Sequence, residues 1–129
     1  MATWQARLRD ARQFWDVAEA AHDPAHGNAA ASNAILAVIA ANDALCLRLA
    51  RTQPGGESHA EAARVLKEAC RGTTWEAEAA RRAQQLSGVI RQKAAAQYSG
   101  RTLSPFEVAQ VMRQAQRFLE WAEQVLATG

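Results

Sequence analysis

Apolar residues recur along this chain at steps of three and four, and most Pro and Gly residues fall between those runs. That pattern predicts a succession of helices. Trp4, Leu8, Ala11, Trp15 and Ala18 share one face of a first helix over residues 3–21, closed by the turn-forming His22, Asp23 and Pro24, with Gly27 beyond. Asn28 is a plausible N-cap for a second helix over residues 29–51. Its middle is apolar on nearly every side, as a helix surrounded by others must be. The stretch from Thr52 to Gly56 reads as a loop. Ser58 and Glu61 then form a capping box at the start of a short third helix over residues 58–70. Gly72 ends it, and Thr73 and Glu76 offer a second box before a fourth helix over residues 75–98. Ser104, Pro105 and Glu107 are the strongest start signal, opening a last helix over residues 105–127. Val108, Val111, Met112, Ala115, Phe118, Leu119, Ala122, Val125 and Leu126 form its apolar stripe. Four long helices with short connections, plus one short helix, pack most simply as an antiparallel bundle.

Composition sharpens this. The chain has 129 residues, enough for one domain and no more, and 31 of them are alanine, the best helix former. With 49% apolar and 22% charged residues it is an ordinary globular chain. An all-α single domain spanning residues 1–129 is the expectation. A net charge of +2 excludes nucleic-acid binding by bulk charge, though not by a local patch. The most apolar run, residues 34–41, is too short to span a bilayer, which takes about 20 apolar residues. No export signal is apparent, and only two cysteines, Cys46 and Cys70, occur. A cytoplasmic setting without membrane contact is therefore expected.

The catalytic inventory is thin. His22 and His26 flank Pro24 without a third metal ligand, and neither cysteine has a histidine near it in sequence. No phosphate-binding glycine loop or metalloprotease motif occurs. No metal or cofactor is expected. Two polar features stand out. Asn33, Asn42 and Asp43 interrupt the apolar second helix. Burying them costs about 1–3 kcal/mol each unless they are hydrogen-bonded. They either lie at an edge, tie one helix to another, or form a polar patch toward a groove or partner. On the fourth helix, Gln84, Ser87, Gly88, Arg91, Ala95 and Tyr98 align at helical spacing. Ser87, Gly88 and Ala95 are small enough to admit a second chain. Arg91 and Tyr98, with Lys93 and Arg101 nearby, combine cationic donors with an aromatic ring, which suits phosphate and base contacts. The alternative is a solvated helix face.

The chain resembles the HEPN domains (higher eukaryotes and prokaryotes nucleotide-binding) over about residues 5–127. Three parts carry the likeness. One is the alanine-rich segment of residues 34–45 with the Gly loop after it. Another is the short helix from His59 to Leu66. The last runs from Leu86 to Tyr98, with Ala115-Gln116-Arg117-Phe118-Leu119 beyond it. The resemblance implies a bundle of four to five helices, often a homodimer. Many members are metal-independent ribonucleases in toxin–antitoxin, defence or RNA-processing systems. Their motif is an Arg, four to six residues, then a His. Arg91 matches the arginine, but the histidine position holds Ala96, Gln97 and Tyr98. A phenol, with a reference pKa of about 10, is a poor base at neutral pH. The likeness is to branches that end in Lys, four residues, then Tyr, here Lys93 and Tyr98.

The expectation is a non-catalytic module binding RNA, a nucleotide or a protein partner through Arg91, Lys93, Tyr98, Arg101, Asp43 and Asn42. Ser87, Gly88 and Ala95 would be the dimer face. A ribonuclease with a rearranged site of Arg91, Tyr98 and Asp43 is the alternative, and a purely structural dimerisation bundle a third. His59 enters such a site only if the fold carries it to the Arg91 face.

Overall fold

The computed structural model describes residues 2–21, 23–56 and 58–128. His22 lies outside them. Among the described residues every regular element is helical. The order is α1 (Trp4–Ala20), a 3-10 turn (Pro24–His26), α2 (Gly27–Ala50), α3 (His59–Cys70), α4 (Glu76–Ile90), α5 (Lys93–Gln97) and α6 (Pro105–Ala127). The all-helical class expected from periodicity is the class that forms.

The helix ends show how local chemistry set these bounds. Thr3 caps α1 by accepting from the Ala6 amide at 3.1 Å. At α6 the full capping box forms: Ser104 Oγ accepts from the Glu107 amide, and Glu107 Oε1 accepts from the Ser104 amide. At α3 only half of the box is present. Ser58 Oγ accepts from the Glu61 amide, but the Glu61 carboxylate binds the Arg64 guanidinium instead. The box expected from Thr73 and Glu76 does not form. Thr73 Oγ1 donates to the Cys70 carbonyl at 2.6 Å and accepts from the Trp75 amide, closing the α3–α4 turn. Asn28 is not a cap either. It bridges to a distant loop, donating to the Arg101 carbonyl at 2.7 Å and accepting from the Leu103 amide at 2.8 Å.

The expected fourth helix is two helices. The chain turns at Arg91 and Gln92, where the Gln92 amide bonds back only three residues, to the Val89 carbonyl. No Gly or Pro marks this break. Packing explains it: α5 leaves the line of α4 to lie on α2, burying Ala96. Changing one hydrogen-bond register costs less than leaving that apolar surface wet.

α2 is the centre of the molecule, with α1, α3, α5 and α6 packed on it and α4 resting mainly on α3 and α6. Pro24–Ala50 is long and apolar enough to cross a membrane by length and composition, yet most of its apolar window is buried by neighbouring helices. Ala34, Ala37, Ala40, Ala41 and Ala44 are fully covered, and their small side chains allow close approach of the surrounding helices. Phe118, Ile35, Leu45, Leu66 and Leu86 are the largest fully buried apolar side chains. Trp121, outside the predicted stripe of α6, is also buried. It packs edge-on to Trp75 with ring centroids 6.5 Å apart, and the Arg82 guanidinium lies over its ring at 5.5 Å.

Cys46 and Cys70 are free thiols buried in this core. Burial pushes both up, Cys70 to about 11, while Asp43 adds to the upward push on Cys46. Since the thiolate is the reactive species, the native protein at pH 8 is expected to react with a thiol-specific disulfide reagent more than about 100-fold slower than the unfolded chain. Absorbance of the released thiolate, with and without denaturant, measures this. Equal rates would show the cysteines to be accessible.

Candidate functional site

The Arg91–Tyr98 face becomes a cleft because a second segment of the chain closes over it. The Thr52–Gly56 loop returns along α2, where a Cβ at Gly56 would overlap the Ile39 side chain, so only glycine lets the loop lie this close. Ser58 then caps α3 and places His59 on its first turn. His59 Nδ1 meets Ser87 Oγ of α4 at 2.8 Å, which ties α3 to α4 beside Arg91. Gly56, His59, Ile90, Arg91, Lys93, Ala94 and Tyr98 together line a cleft of about 310 Å³. Its chemistry is cationic and aromatic: a guanidinium, an ammonium, an imidazole and a phenol that is 76% exposed. Among the described residues, neither Arg91 nor Lys93 is in an ion pair.

Arg91 also borders a second cleft, of about 270 Å³, between the α4–α5 turn and α6. Gly88, Gln92, Leu103, Glu107, Gln110, Val111 and Gln114 complete its lining. Arg91 thus stands on the ridge between two concavities.

Three of the residues singled out from sequence are not on this surface as available groups. Arg101 makes a two-pronged pair with Glu107, both contacts at 3.1 Å. Its guanidinium, with the Ser104 amide, holds the Glu107 carboxyl down at about 2. Arg101 therefore serves the start of α6 and is no free cation. Asn42 and Asp43 are buried, with Asp43 1% exposed, and neither can meet an RNA or a partner chain. Asp43 ties elements together instead. Its Oδ2 accepts from Nε and Nη2 of Arg7 on α1, at 3.2 and 3.1 Å, and its Oδ1 accepts from the Gly55 amide at 2.8 Å. Desolvation pushes its carboxyl up, against the pull of the Gly55 amide and Arg7. Asn42 accepts a weak bond from the Cys46 thiol. Asn33, by contrast, sits half-buried and donates to the Ala29 carbonyl within its own helix.

The small-residue face is also redistributed. Ser87 is engaged by His59, Gly88 borders the second cleft, and Ala95, past the helix break, packs against the core. The three do not form one continuous strip.

The sequence left His59 conditional on the fold, and the fold carries it to the cleft of Arg91. Its place after the Ser58 cap was visible, but its bond to Ser87 spans 28 positions and follows from how α3 packs on α4. The glutamines of the second cleft were missed because amides carry no motif. Among the described residues, no cluster of three or more His, Cys, Asp or Glu side chains is placed to hold a metal ion. No family model, no curated protein and no solved structure matches this chain.

Proposed function

We propose that this chain is a HEPN-like module, its helices arranged as an antiparallel bundle, that binds RNA without cutting it. The observation that carries the reading is the first cleft, where Arg91, Lys93, His59 and the exposed Tyr98 ring converge. Phosphate oxygens suit the guanidinium and ammonium, and an unstacked base suits the phenol ring. The homodimer, the cytoplasmic setting and a toxin–antitoxin or defence role belong to the same proposal through the family resemblance. A nucleotide alone would use the same groups.

Fluorescence anisotropy with a short single-stranded RNA tests it. Binding should weaken with salt at a logarithmic slope of about −0.7 per neutralised phosphate, near −1.4 if Arg91 and Lys93 each take one. Arg91→Ala should weaken affinity roughly tenfold and reduce the slope by about 0.7. No binding by the wild-type protein at low salt would sink the proposal.

One observation favours a second reading, a ribonuclease with a rearranged site. The fold does bring His59 to the cleft of Arg91, and an imidazole can move the proton that arginine cannot. Metal-free RNA cleavage lost in both His59→Ala and Arg91→Ala would establish it.

A further inference from the structure

We infer that the second cleft, across Arg91 from the first, is a base-reading subsite that takes the adenine of an RNA whose phosphate rests on Arg91. This rests on the RNA reading of the first cleft. The lining of the second cleft is of a different kind. Besides the shared Arg91, its free polar groups are the side-chain amides of Gln92, Gln110 and Gln114, and no hydrogen bond to another described residue engages them. Glu107, the one carboxylate in the wall, is neutralised by Arg101. Leu103 and Val111 supply apolar surface, and both are buried. Gly88 leaves the backbone of α4 bare on this side: a Cβ built there meets nothing within 4 Å.

Amides, an apolar floor and a bare backbone wall fit a planar heterocycle better than a second phosphate, which would seek cations. An amide offers one donor and one acceptor side by side. Adenine matches that pair with its N7 acceptor and N6 amino donor, which is why glutamine pairs with adenine through two bonds. Guanine presents two acceptors on the same edge and fits a guanidinium instead. Arg91, shared by both clefts, sets the register: a phosphate held there places one neighbouring base against Tyr98 and the other among the glutamines. Base discrimination by a good two-bond contact spans about fivefold to more than a hundredfold.

The test measures anisotropy of short oligoadenylate, oligouridylate and oligocytidylate on the full-length protein. Wild type should prefer oligoadenylate by about tenfold or more. The double variant Gln110→Ala/Gln114→Ala should lose that preference while keeping its affinity for oligouridylate. Gly88→Ala separates recognition from folding. A methyl inside helix α4 should raise the melting temperature, as Gly to Ala does in helix interiors. It should nevertheless lower oligoadenylate affinity by filling the wall of the cleft. Arg91→Ala should weaken all three probes alike. Equal affinity of the wild type for all three oligomers would overturn the subsite and leave RNA binding standing. Absence of binding to any of them would overturn both.

Discussion

Asp43→Ala is expected to destabilise the fold by about 3–4 kcal/mol, seen as a fall of about 10–15 °C in melting temperature. Asp43 is 1% exposed, and three donors from two other parts of the chain converge on it. Alanine takes from the Arg7 guanidinium its buried partner, leaving it only the half-buried Asp10 carboxylate at 2.9 Å, and orphans the Gly55 amide. Removing one member of such a pair is far more costly than removing both. Asp43→Asn should cost less than Asp43→Ala, because its amide oxygen still accepts from Gly55, while its NH2 faces the Arg7 donors and keeps the variant below wild type.

The pH dependence separates these variants further. Burial sets the folded carboxyl above its unfolded value. The folded state therefore holds its proton more tightly, so this group stabilises most below the ordinary carboxylate range. That contribution is lost as pH rises through the folded value. Asp43→Asn should then gain on the wild type as pH rises from about 4 to 7. Urea unfolding followed by circular dichroism at several pH values measures both effects. A melting temperature for Asp43→Ala within a degree or so of wild type would show the network to be idle.

Phe118→Ala is expected to cost about 3–5 kcal/mol. Phe118 is fully buried on α6 and stands 5.9 Å from the Trp121 ring, which in turn meets Trp75 at the start of α4. α6 packs on α2, whose buried face is rich in alanine, short side chains that cannot swing in to fill a void. The site should collapse poorly, which puts the loss at the upper end of the range. Phe118→Leu, which keeps more of the volume, should lose about half as much. Chemical denaturation checks the pair, and intrinsic fluorescence reports whether Trp121 and Trp75 have moved. A loss below about 1 kcal/mol for the alanine variant would mean that the core repacks.

The candidate face was partly legible because two of its main groups are close in sequence. Arg91 and Tyr98 fall within one expected helical run, and although the structure breaks it at Arg91, both line the first cleft. Lys93, between them, joins the same wall. The other wall was not legible. Gly56 and His59 reach it because the Asp43–Gly55 bond, the Gly56–Ile39 contact and the Ser58 cap steer a loop back across α2. None of these leaves a periodic trace. Arg101 misled for the opposite reason. An arginine three residues from Tyr98 looks free until its carboxylate is located; Glu107 was visible as a capping residue, but not as the partner of Arg101.

By itself the sequence determined what short-range physics controls. Alanine content, apolar spacing of three and four, and caps at Ser58 and Ser104 fixed an all-helical chain and most of its helix ends. An α-helix closes its hydrogen bonds within four residues, so local composition suffices to specify it. Tertiary structure alone decided the rest. It split the expected fourth helix at Arg91 so that α5 could cover α2, and among the readings open for Asp43 it selected the buried tie. It also drew His59 to Ser87 and set three glutamines from α4–α5 and α6 around one cleft. Each of these outcomes depends on contacts between residues tens of positions apart. Their energies come from burial and partner geometry, which no local pattern encodes.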